Sequence, residues 1–140
     1  MSLLSDFFIT AESDVSFYDG DPAFPNSDRV QLKQITPLEA AGLLEALRGG
    51  GDRIEMLSEF PLLTPQDAEA WTVGVPDDFV SRLAELDDAS VRDVVRKFAG
   101  ITVEELGWTI NDAFPFVRDL ATLARRAQTE GKRMFLWNSL

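Results

Sequence analysis

The feature that most constrains the fold is the stretch from Asp112 to Glu130. Ala113, Phe116, Val117, Leu120, Leu123, Ala124 and Ala127 recur at helical spacing and make one continuous apolar face. A helix of that length must cover something equally apolar. Gly131 marks its stop, and the run Met134, Phe135, Leu136 and Trp137 follows immediately as a strand candidate. With the helix expected to begin near Asp112, Pro115 falls in its first turn, where a missing N–H is harmless.

Other segments repeat the pattern of stripe and punctuation. Thr36-Pro37-Leu38-Glu39 is a capping box with proline at the first helical position. Ala40, Leu43, Leu44 and Leu47 then share a face, and Gly49-Gly50-Gly51 ends the helix. Phe79, Val80, Leu83 and Leu86 form a stripe after Asp77-Asp78. Val91, Val94, Val95 and Phe98 form another after Asp87-Asp88 and Ser90. Both acidic pairs lie where a helix N-terminus favours negative charge, so neither requires an active-site reading. Thr102-Val103-Glu104-Glu105 reads as a further capping signature, with Glu105 in the third helical position.

Strand signals are fewer. Phe7, Phe8 and Ile9 suit a buried strand, and Trp71 to Pro76 reads as a strand stopped by its proline. Residues 52–63 fit a short helix or a strand equally well. Thr64-Pro65 begins a capped turn with Asp67 near its start, and Ser16 to Ser27 has the Asp, Gly and Pro of a loop. A C-terminal strand beside the N-terminal one would tie both ends into a sheet. The expectation is an α+β fold over residues 1–140 as a single globular domain. It has about five helices packed on a small, three- to four-stranded sheet that includes the N- and C-terminal strands.

Residues 71–140 resemble in layout small bacterial proteins of the YfbM-like group. The shared features are a strand with Trp ("WTVGVP"), a helix opening "DDFVSRLAEL", a Gly-Trp linker at Gly107-Trp108, and "LATLARRAQTEGKRMFLWNSL". The resemblance implies an α+β fold and a bacterial origin, and it assigns no activity and no site residue.

Composition narrows the chemistry. The 140 residues contain no cysteine and no histidine, which removes disulfides, thiol catalysis, the commonest general base and the commonest transition-metal ligand. No phosphate loop and no Ser-x-x-Lys motif occurs. Asp14, Asp19, Asp21 and Asp28 are oxygen donors without the ligand set of a calcium loop, and as turn residues they need none. No metal and no cofactor is expected. A carboxylate pair for hydrolysis stays open, because separation in space is not written in a sequence.

Charge fits either plain solubility or an acidic face for a basic partner. The net charge is -11. Residues 1–91 carry 18 acidic and 5 basic side chains, whereas residues 92–140 carry 6 acidic and 8 basic. Such a surface repels phosphate backbones, so no nucleic acid is expected. No run of 18 apolar residues occurs and the N-terminus has no basic lead-in, so neither a membrane span nor a signal peptide is expected. The chain reads as cytoplasmic. Arg118, Arg125, Arg126, Lys132 and Arg133 gather on or after the last helix. They could bind an anion, pair with the acidic half or remain solvated.

Of the three tryptophans, Trp71 and Trp137 belong to strands and to the core, while Trp108 suits a pocket rim. The resulting expectation is an intracellular protein-interaction domain that is non-enzymatic. It would present an acidic face to a basic protein partner, in the manner of an immunity protein or antitoxin, with candidate contacts at Asp14, Tyr18, Asp19, Asp21, Phe24 and Trp108. The alternatives are a small-molecule-binding protein, a carboxylate-based hydrolase, or a subunit of a homo-oligomer.

Overall fold

The structure is a computed structural model and describes residues 3–65 and 68–140. Four antiparallel strands form one sheet: β1 (Leu4–Thr10), β2 (Arg29–Lys33), β3 (Ala70–Gly74) and β4 (Arg133–Ser139), in the spatial order β2-β1-β4-β3. The first and last strands are the central pair, in register from Leu4 opposite Ser139 to Thr10 opposite Arg133. Six α-helices accompany the sheet: α1 (Pro37–Arg48), α2 (Arg53–Met56), α3 (Asp77–Ala84), α4 (Asp88–Ile101), α5 (Val103–Leu106) and α6 (Ile110–Glu130). The fold is α+β, as the sequence leads one to expect.

The strands alternate sharply. Phe7, Ile9, Val73, Met134 and Leu136 face the helices and join one large core with the helical stripes. Val91, Val94, Val95, Phe98, Phe116, Leu120 and Leu123 are all buried in that core. Leu47 and Leu86 sit half-buried at the margins of their stripes. Phe8, Phe135 and Trp137 face the other way into a second, smaller cluster with Tyr18. Both faces of β1 and β4 are therefore covered, which explains why these strands read as continuous apolar runs.

Several local expectations need correction. β2 is a strand that the sequence reading passed over. Only Val30 and Leu32 alternate inward there, against Arg29, Gln31 and Lys33 on the other face. Residues 52–63 split into the single turn α2, a 3-10 turn at Leu57–Glu59, and an extended piece in which Leu62 bridges Val73 at the outer edge of β3. Helix α6 begins at Ile110, earlier than expected, because Thr109 and Asp112 form a reciprocal capping box. Pro115 consequently lies in the second turn and leaves the exposed Asn111 carbonyl without its helical donor.

Thr102 does not cap α5. It is fully buried, and its hydroxyl donates back to the Phe98 carbonyl at 2.8 Å. Glu105, expected to close that cap, instead pairs with Arg53. After Thr64-Pro65 the Ala68 amide donates to the Pro65 carbonyl at 3.1 Å, while Asp67, expected near the start of that turn, lies outside the described residues. Among the described residues no helix is long and apolar enough to cross a membrane.

Candidate functional site

The face of the sheet away from the α-helices is covered by residues 11–28, which cross it as a cap with 3-10 turns at Glu12–Phe17 and Asn26–Asp28 before returning as β2. Tyr18 is its centre. The ring stacks on Phe8 with centroids 3.9 Å apart and planes 9° from parallel. Phe24 and Trp137 meet it edge-on at 5.0 and 5.6 Å. Edge and stacked contacts of this kind complement the ring quadrupole and add to the area buried.

Burying a phenol requires a partner for its hydroxyl. Tyr18 donates to Asp6 Oδ2 at 2.5 Å, and Arg29 Nη1 donates to the Tyr18 oxygen at 3.3 Å and to the Asp21 carbonyl at 2.8 Å. All three side chains lie in residues that are nearly inaccessible: Asp6 is 3% exposed, Arg29 7% and Tyr18 8%. The rest of the Arg29 guanidinium bonds Asn26 Oδ1 through Nε and Nη2 and lies 5.7 Å from the Phe24 ring centroid. Burial raises the Tyr18 pKa well above the ordinary phenol value, the hydrogen bond to Asp6 raises it further, and Arg29 only partly opposes them. Tyr18 is therefore a neutral donor that locks the cap, and its chemistry is the reverse of an activated phenolate.

Two further contacts fix the cap. Gly20 has φ of +81°, and a Cβ there would stand 2.8 Å from Trp137 Cη2, so the backbone lies directly on the indole. Only glycine combines that approach with that backbone conformation. At the far end Asp28 accepts from Arg126 at 2.7 Å and from Lys132 at 3.4 Å, while Glu130 bonds both cations. Lys132 holds the Glu130 carboxyl below the usual carboxylate range, and Glu130 raises the lysine in turn.

The expected contact residues divide accordingly. Asp14, Asp19 and Asp21 are exposed on the cap, Phe24 is half-buried, and Tyr18 is buried beneath them. Asp19 Oδ1 accepts from the Asp21 amide at 3.0 Å and Asp21 Oδ1 from the Ala23 amide at 2.8 Å, so both shape their own turns. Trp108 lies away from this group, half-buried with its ring against Phe98 and Phe116 in the large core. Trp137 is buried as expected, whereas Trp71 is only half-buried.

The basic residues near α6 have structural partners. Besides Arg126 and Lys132, Arg125 donates to the Ala84 and Leu86 carbonyls at the end of α3. Arg118 meets Asp119, and Arg133 approaches Glu12 and Asp77. Sequence reasoning missed Asp6 and Arg29. The available signals were a lone carboxylate inside an apolar strand and an arginine opening β2.

Clefts surround the cap. One, about 510 Å³, lies between Val15, Ser16, Tyr18 and Asp19 on one side and Leu63, Thr64, Pro65, Glu69, Ala70 and Thr72 on the other, with Trp137 also in its lining. Asp19 and Glu69 contribute carboxylates and Ser16, Thr64, Thr72 and Ser139 hydroxyls, and its lining among the described residues contains no cation. Among the described residues no group of three or more carboxylates is gathered closely enough to hold a metal ion. The site thus offers hydrogen-bond acceptors, negative charge and aromatic surface. No protein-family model, curated protein or solved structure matches this chain.

Proposed function

We propose that the protein is a binding domain that presents the cap, residues 11–28, to a basic protein partner. One observation carries this reading. Of the carboxylates in residues 1–28, Asp6 is buried under Tyr18, Asp28 is paired with two cations and Glu12 approaches Arg133. Asp14, Asp19 and Asp21 are left on the outer surface without an ion-pair partner among the described residues. Phe24 adds a half-exposed aromatic surface beside them. Concentrated like charge around an aromatic centre is the composition of a surface that steers and then holds an oppositely charged protein.

The test is the triple variant Asp14→Asn, Asp19→Asn, Asp21→Asn. Asparagine keeps the acceptor oxygen that Asp19 and Asp21 use in their turns and removes only the charge. With a partner captured from the source cell, association at low salt should slow by about tenfold or more. The wild-type rate should fall as salt rises. The melting temperature should stay nearly constant, because exposed charges contribute little to stability. An unchanged association rate, or a lowered melting temperature, would contradict the reading.

A further inference from the structure

We infer that the 510 Å³ cleft between the cap and a wall made by Leu63, Thr64, Glu69, Ala70 and Thr72 receives an arginine side chain of the basic partner. The inference rests on the acidic-face reading for the partner's charge and adds the place where one of its cations lodges. The cleft is large enough for a side chain with its flanking backbone, in the range of ordinary ligand sites. Asp19 and Glu69 supply negative charge from opposite sides, and no cation of the described lining neutralises them.

A planar, weakly hydrated guanidinium suits this cleft better than an ammonium, because its fork of N–H donors can reach carboxylates on both walls while its edge meets the narrow aromatic margin that Tyr18 and Trp137, 8% and 7% exposed, leave uncovered. In the same cap the Arg29 guanidinium lies 5.7 Å from the Phe24 centroid. At the rim Leu63 is 48% exposed, an apolar surface for the aliphatic stem of the incoming side chain. Ser16 and Ser139 offer oxygen acceptors for the remaining guanidinium N–H groups. Thr64 is held in place as cleft wall, since its Oγ1 accepts from the Thr72 amide at 3.2 Å.

The probe is N-acetyl-L-argininamide, titrated into isotopically labelled protein and followed by amide and indole NMR signals. Saturable shifts confined to Thr64, Ala70, Thr72 and the Trp137 indole are expected. The citrulline analogue, isosteric and uncharged, should give none. Glu69→Gln should weaken the probe roughly tenfold, as expected for one charge-assisted hydrogen bond. Ala70→Leu, which places an isobutyl group in the cleft without changing charge, should abolish saturation. Diffuse, unsaturable shifts along the acidic surface, or equal binding of citrulline, would overturn the inference. Asp19 belongs to both the cleft and the triple asparagine variant, whereas Glu69 and Ala70 belong to the cleft alone, so Glu69→Gln and Ala70→Leu test the cleft separately. A cleft that ignores the probe leaves steering by Asp14 and Asp21 intact, and a triple variant that associates normally while Glu69→Gln still weakens the probe sinks the acidic-face reading alone.

Discussion

The two faces of the sheet are covered by different means. On one face, α1, α3, α4 and α6 contribute aliphatic and aromatic stripes to a single large core. On the other, a cap of loops and short 3-10 turns rests on a few aromatic rings and one buried polar triad of Asp6, Tyr18 and Arg29. The first face distributes its stability over many interchangeable apolar contacts. The second depends on specific atoms, so it is sensitive to single-atom changes, and several clefts open beside it.

The contrast can be broken most forcefully on the helical side. Leu120 is fully buried, and Leu120→Ala should cost about 2–5 kcal/mol in denaturant unfolding. A loss under about 0.5 kcal/mol, typical of a surface position, would mean that this face is not the packed one.

On the cap side, Tyr18→Phe keeps the ring and removes the hydroxyl. Asp6 then retains only the long contact from Gln31 Nε2 at 3.4 Å. The expected cost is about 1–3 kcal/mol, that of stranding a buried acceptor. The NMR shifts should be confined to the cap and its clefts, with the α4–α6 core unchanged. A response spread evenly through both faces would show that the cap is not a separate unit.

A gentler probe uses pH. Tyr18 is the sole tyrosine, so tyrosinate absorbance reports it alone. Its unfolded value is about 10 and its folded value lies higher. Its contribution to stability is therefore complete below pH about 10 and is lost as pH rises beyond it, because the unfolded chain then releases a proton that the folded chain keeps. The absorbance should rise only with alkaline unfolding, and ionisation near pH 10 in a folded chain would show an open cap. The smallest effect belongs to the triple asparagine variant, whose thermal midpoint should match the parent.

The same division governs what the sequence discloses. The stripes of α4 and α6 and the pairing of terminal strands are legible because periodicity is a local signal and apolar runs have few other uses. β2 is not, since two inward residues among five are too few to define an alternation. The acidic, exposed character of Asp14, Asp19 and Asp21 is readable from charge alone. That Tyr18 lies beneath them is not, because its burial depends on Asp6, 12 positions away, and on Arg29, 11 positions away. Trp108 shows a different limit: its setting beside Gly107 suggests a rim, and its half-buried ring packs against Phe98 and Phe116 at the margin of the core, away from the cap.

The central strand pair has a consequence for how the chain acquires its shape. The Asn138 side chain donates to the Leu4 carbonyl across 134 positions, and every β1–β4 pairing spans most of the described length. During synthesis, β1 can find β2 early but must wait for β4. Until residues 133–139 leave the ribosome, the Phe7 and Phe8 strand has one neighbour and an open hydrogen-bonding edge. Such long-range closure is slow, and the waiting edge is a template for intermolecular pairing. Closure of this sheet is thus timed by β4, and holding that strand back in the exit tunnel should keep the nascent chain bound to chaperones.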